Sequence, residues 1–225
     1  MTEITNEQGK KVADVINNIM PSAQNLYFLV GYFYFSGFQE IYKNLDDKKL
    51  KILVGMDVQK DLNNRIVEIE SFRTNESSNR KIRQDYYNQL RTIFNESDLF
   101  DSLEKQKAFK IFVQKIKDGS LEIRKTRQPD HSKVYIFENK TEHNQGEEFP
   151  GTVIFGSSNL SYSGLSGRRE RNEVFREKDK YLSYKKDFDE EWEDSTPLVN
   201  KENFDEFQSE VIDKIWVDKV PSPYA

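Results

Sequence analysis

The chain has 225 residues, enough for one full domain with a buried core. Its formal net charge of −5, with 32% charged residues, gives an overall field that repels a polyanion, so any phosphate binding must be local. Cysteine is absent, which excludes disulfides, thiolate-ligated zinc and thiol nucleophiles.

The N-terminal MTEITNEQGKK lacks the basic and then apolar organisation of a secretory signal, and no apolar run long enough for a bilayer follows. A cytoplasmic protein without membrane contact is expected. Over residues 7–20, Val12, Val15, Ile16 and Ile19 fall at helical spacing and Pro21 closes the segment, which predicts an amphipathic first helix. Residues 26–38 (LYFLVGYFYFSGF) are dense in aromatic and branched side chains and read as a buried strand. A turn at Ser36-Gly37 and a short helix over 39–44 then lead to a second buried strand over 50–58 (LKILVGMDV). Strand, helix, strand implies an α/β sheet.

From 63 to 119 the chain is charged, with spaced apolar positions at Ile66, Ile69, Phe72, Tyr86, Leu90, Ile93, Phe109, Phe112 and Ile116. This pattern predicts a helical insert or subdomain, with an exposed loop over 74–79 (TNESSN). Strands are expected at 121–124, 134–137 and 152–155, the last two separated by a polar turn over 138–151. A charged helix over 178–194 carries Leu182, Phe188 and Trp192, and 204–216 reads as another. The expected organisation is one domain over 1–195 and a helical extension or linker over 196–225. The final VPSPYA suits a fragment cut from a longer chain or an ordinary frayed tail.

Chemistry concentrates between Asp130 and Glu173. Alternate residues of a strand share a face, so His131 and Lys133 can project into one pocket. The strand ending in Gly156-Ser157-Ser158-Asn159 offers backbone N–H groups, hydroxyls and an amide at a tight turn, all suited to phosphate oxygens. Each residue also has a plainer reading. A lone histidine before a strand is usually a surface residue, and His143, among Glu142, Asn144 and Gln145, is read that way. Lys133 alone would be a solvated charge, and the serine turn alone a helix cap leading into 162–165. Arg168, Arg169 and Arg171 form a basic cluster that is most simply a solvated loop, yet stands close to the site in sequence. Most rings of 27–38 belong to a core; Tyr32 and Ser36, at the end of the strand, are the exceptions to watch.

His131-Ser132-Lys133, an acidic residue five positions after the lysine, and Gly156-Ser157-Ser158-Asn159 together resemble the phospholipase D superfamily. Glu138 stands where that family usually has Asp, and the connection from Glu138 to Gly156 is longer than in the compact signature. The wider phrasing, VGYFYFSGF, HSKVYIF, GSSNLSYSGLSG and the following Glu170-Arg171-Asn172, resembles the phospholipase D-like domains attached to superfamily-two helicases of the Swi/Snf kind. It is also similar to single-motif domains of metal-independent restriction nucleases. The resemblance spans roughly residues 6 to 195, with gaps across the insert.

It implies a mixed β-sheet flanked by helices and a two-step displacement at phosphorus. One histidine attacks to give a phosphohistidine and a second protonates the leaving oxygen. His131 is then the nucleophile, Lys133 and Asn159 hold non-bridging oxygens, and Ser157 and Ser158 assist in binding. Glu170, eleven positions after Asn159, orients the histidine, with Glu173 as its competitor. Arg168 and Arg169 would meet the backbone of DNA. The mechanism uses no metal and no cofactor. One motif supplies one histidine where two are needed, so a symmetric homodimer sharing a site is expected, its interface around Asn159 and Glu170 and its 63–119 insert outside. Two other readings stand beside a DNA nuclease of a helicase or restriction system: a non-catalytic DNA-binding or dimerisation module, and a lipid phospholipase, for which no amphipathic surface or anchor speaks.

Overall fold

The computed structural model of the chain describes residues 2–7, 10–55, 79–96, 102–143 and 148–215. Ile66, Ile69, Phe72, residues 56–58 and 74–78, the side chain of Ile93 and the 216–225 end, about which the sequence raised expectations, lie outside the described residues.

A mixed sheet of eight strands organises the chain. In chain order these are β1 (Thr2–Ile4), β2 (Ala23–Val30), β3 (Lys49–Val54), β4 (Leu121–Lys125), β5 (Val134–Asn139), β6 (Gly151–Gly156), β7 (Asn172–Phe175) and β8 (Thr196–Val199). Across the sheet they run β1-β7-β6-β5-β2-β3-β4-β8. β2, β3 and β4 are parallel, and the remaining pairs are antiparallel. The helices are α1 (Val12–Ile19), α2 (Phe35–Ile41), α3 (Asn79–Glu96), α4 (Leu103–Asp118), α5 (Lys178–Glu193) and α6 (Phe204–Phe207).

The central strands are apolar on both faces because both are covered. Along β5, Tyr135 and Phe137 enter the larger core, shared with α1, α2, α3, α4 and α6, while Val134 and Ile136 enter the smaller one. The smaller core is closed by Tyr181, Phe188 and Trp192 of α5, side chains spaced to lie along one helical face. α4 starts at Ser102, whose hydroxyl accepts from the Lys105 N–H, and stops at Gly119, whose φ of 84° is easy only for glycine.

Several expectations are revised. The first helix begins at Val12, not residue 7, because Asn6 turns left-handed (φ 61°) and its side-chain oxygen accepts from the Val12 N–H. Ser36-Gly37 is no turn but lies inside α2. Glycine is needed there for closeness: a side-chain carbon would fall 2.3–2.5 Å from the backbone of Leu160 and Ser161. The described helices of the expected insert do not stand apart. α3 and α4 connect the parallel strands β3 and β4, and Phe112 of α4 packs its ring against Phe33, Phe35 and Phe38. The sheet also extends past residue 195, since β8 pairs with β4 and Phe204 and Phe207 are buried in the larger core. No described helix is long and apolar enough to cross a membrane.

Candidate active site

The C-terminal ends of β2 and β6 meet the N-terminal end of the antiparallel β5 at one rim of the sheet, and the chemistry of the sequence collects there. Carboxyl ends of parallel strands are the usual place for ligands in open α/β sheets, because the chain must leave the sheet there and exposes its backbone. β2 ends at Val30, and Gly31 follows at the point of closest approach. A side-chain carbon on Gly31 would lie 3.3 Å from the Asn159 Oδ1, 3.4 Å from the Lys133 Nζ and 3.7 Å from the Lys133 Cε. The ammonium of one motif and the amide of the other are thus brought together over a bare stretch of backbone.

The orientation of each group has a cause. The Tyr32 N–H donates to the Asn159 Oδ1 at 3.1 Å, which fixes the amide flip and leaves its NH₂ as the donor for a ligand oxygen. The Lys133 ammonium donates to the carbonyl of His131. Burial pulls the Lys133 pKa below its ordinary value, against the opposing fields of Asp130 and Glu170. His131 itself is exposed at the rim. The loop that carries it is held by Asp130, whose N–H donates to the Gly55 carbonyl at 3.2 Å and whose carboxylate accepts from the Ser132 N–H at 2.5 Å.

Ser157 is exposed, its hydroxyl donating to the Glu170 carboxylate and accepting from the Arg171 N–H at 3.1 Å. Ser158 turns the other way. It is fully buried, its hydroxyl accepts from Asn172 at 2.9 Å, and its carbonyl accepts from the Tyr135 hydroxyl at 2.6 Å. The side chain expected to touch substrate faces the interior, because consecutive residues leaving β6 point to opposite sides. Ser158 is therefore not carried into the proposed site.

Of the two carboxylates, Glu170 lies by Ser157 and within electrostatic reach of Lys133. Glu173 is exposed on β7, opposite Glu3 of β1, and its field acts on Tyr184 of α5. Glu138 sits at the far end of β5 and, five residues from Lys133, on the opposite face of the sheet. There it accepts from the Tyr27 hydroxyl at 2.6 Å and from Asn25 at 2.9 Å, and together with burial it raises the Tyr27 pKa. His143 borders a separate cavity of about 910 Å³ with Asn139, Gly151 and Arg176, also at the far ends of these strands.

The basic cluster is partly neutralised: Arg169 stands 3.5 Å from Glu7 and Arg171 3.8 Å from Glu3. Arg168 is exposed and forms no ion pair among the described residues. Among the described residues, no group of three or more His, Asp and Glu is spaced to hold a metal ion.

The sequence reading missed the residues that brace this site. Asn172 is 1% exposed and holds both the N–H and the hydroxyl of Ser158. Asn6 ties down the carbonyls of Gly164 and Arg168 from more than 150 residues away. Gly31 carried a usable signal, as a glycine placed inside an otherwise bulky aromatic run.

A histidine, a half-buried ammonium, an oriented amide and a serine hydroxyl thus stand at one rim, groups suited to binding phosphate oxygens. The chain belongs to the phospholipase D-like family: the family model described as "Cardiolipin synthase, PLD-like domain" matches residues 15–192. No curated protein sequence matches significantly. Among solved structures, the chain is similar to a phospholipase D family member, Nuc from Salmonella typhimurium, at 12% identity and a TM-score of 0.46, covering 87% of this chain and 95% of that one. It is also similar to NucT from Helicobacter pylori (10%, TM-score 0.47, 87% and 97% covered). The phosphatidylserine synthase of Haemophilus influenzae Rd KW20 is a third (14%, TM-score 0.48, 97% and 46% covered).

Proposed function

We propose that the chain is a metal-independent phosphodiesterase of the nuclease type that acts on DNA through a covalent phosphohistidine. The observation that carries this reading is the convergence of Lys133 and Asn159 over Gly31, with His131 on the same strand entry. His131 attacks phosphorus, forming a P–N bond as the P–O bond to the leaving strand breaks, and a proton passes to the leaving oxygen from a second histidine. Water, deprotonated by that second histidine, then attacks phosphorus and frees His131. Lys133 and the Asn159 NH₂ offset the charge that builds on the non-bridging oxygens, and Ser157 adds a hydroxyl. Glu170 orients His131 and stabilises its charged form. Arg168 and Arg169 contact the flanking backbone.

The second histidine is proposed to be His131 of another copy, because His143 is at the opposite end of the strands. The phrasing of the motifs supports service in a helicase-linked or restriction system of the cytoplasm. The test is cleavage of plasmid and single-stranded DNA in EDTA. Activity is expected to survive chelation and to vanish, by at least about 10³-fold, in His131→Ala and Lys133→Ala. Strict magnesium dependence with an active His131→Ala chain would remove the mechanism. Binding of DNA without cleavage under any condition would instead mark a non-catalytic module.

A further inference from the structure

Three tyrosines that the proposed chemistry does not use fringe the same rim. Residues 31–36 run beside residues 159–162, linked by the Tyr32 N–H to Asn159 Oδ1 (3.1 Å), the Tyr34 N–H to Leu160 O (3.0 Å) and the Tyr162 N–H to Ser36 Oγ (3.2 Å). Phe33 bridges to Leu160 and is buried, so the alternation turns Tyr32 and Tyr34 to the other side, where both are half-buried with ring centroids 6.3 Å apart. Tyr162 is 54% exposed, its ring laid near the backbone of Gly167, one residue before the exposed Arg168. Three residues from Asn159, this ring offers an exposed aromatic face beside the groups suited to phosphate.

The electrostatics narrow what that face would meet. With a net charge of −5, and with Arg169 and Arg171 each beside a glutamate, Lys133 and Arg168 are the basic side chains among the described residues of 131–171 that no ion pair neutralises at the rim. Affinity for a nucleic acid then draws on contacts that are not ionic in addition to these few phosphate contacts. Base stacking on aromatic rings is such a contact, and it is open only to a strand whose bases are not already stacked within a duplex.

We propose that Tyr162, with Tyr32 and Tyr34, forms a stacking track that makes the site selective for single-stranded DNA. The proposal deepens the phosphodiesterase reading and rests on it for the placement of the scissile phosphate by Lys133 and Asn159. In a shared-site dimer the two tracks line opposite walls of one cleft.

Binding is measured by fluorescence anisotropy in a His131→Ala background, with a single-stranded oligonucleotide, its duplex and an abasic strand carrying the same phosphates. The single strand is expected to bind about tenfold or more tightly than the other two. Tyr162→Ala is expected to lose about tenfold on the single strand and nothing on the abasic one, and Tyr162→Trp, with a larger ring face, to tighten binding. Equal binding of duplex and single strand, or a Tyr162→Ala loss that is the same on abasic DNA, overturns the track. Cleavage assays with the His131 chain separate the two readings. Equal cleavage of single and double strands, unaltered in Tyr162→Ala, overturns the track and keeps the phosphodiesterase. Tyr162-dependent single-strand binding with no cleavage of any strand keeps the track and removes the phosphodiesterase.

Discussion

Glu170 and Glu173 stand three residues apart, yet the fold sends them to different surroundings. Glu170 precedes β7, close enough to accept from Ser157 and to act on the Lys133 ammonium, whereas Glu173 lies within the strand and faces Tyr184. Of the two, Glu170 is the one placed by the rim, and the proposed mechanism therefore gives it the orienting of His131. Glu170→Gln keeps the size and the Ser157 hydrogen bond but removes the charge, so kcat is expected to fall on the order of 10²-fold or more while DNA affinity changes little. Glu173→Gln is expected to be near neutral in the same assay. A large loss in Glu173→Gln with normal activity in Glu170→Gln would reverse the assignment. Glu138 shows the same principle from the other side. It matches the motif position but lies on the opposite face from Lys133, bonded to Tyr27 and Asn25, so its acidity serves the sheet and not the cleft.

At the scale of elements, the site depends on how β6 hands over to the turn at Asn159. Asn172 of β7 reaches across the sheet to Ser158, and Tyr135 of β5 pins the Ser158 carbonyl from beneath, its own pKa raised by full burial. Three antiparallel strands therefore share one buried polar node directly before Asn159. Asn172→Ala leaves the Ser158 N–H without its side-chain acceptor and the hydroxyl without its donor, in a place water does not reach. The expected loss is about 2–4 kcal/mol of unfolding free energy, from a desolvation cost of about 1–3 kcal/mol per orphaned group. Urea denaturation measures it. Activity is expected to fall further than stability explains, because Asn159 and Gly31 lose their register; a stability loss below about 0.5 kcal/mol would show the node to be dispensable.

For the whole molecule, the decisive feature is a count. The described residues bring one histidine to the rim and leave the other at the far end of the strands, so under the proposed two-histidine mechanism a chain by itself would supply half of the site. In the proposed dimer a two-fold axis through the cleft would supply the missing acid, and isologous pairing is the commonest symmetry among homo-oligomers. Sedimentation is expected to show a dimer at micromolar concentration, with specific activity falling as dilution dissociates it. A monomer whose specific activity is unchanged on dilution would end the shared-site model. The packing of α3 and α4 on the sheet through Phe94, Phe109 and Phe112 makes these helices part of the fold that positions the rim.

The sequence by itself determined the α/β class and the strands β4 to β6 to within two residues, and it located β2 and β3 by their apolar runs, although the run over 26–38 continues past β2 into α2; it also grouped Lys133 with Asn159, which the fold brings together over Gly31. Strongly apolar runs and a short motif with fixed spacing are local signals, and local signals survive without a structure. Only the tertiary structure decided the rest. β1, β7 and β8 are strands of three or four residues whose partners come from distant segments, so no periodicity in their own sequence announces them. Ser158 and Ser157 are the same residue type in the same turn, and only the direction of the chain leaving β6 buries one and exposes the other. Asn6 and Gly31 brace the site across long stretches of chain and Asn172 across the pairing of two neighbouring strands, and a contact made by the fold is written in neither partner's local sequence alone.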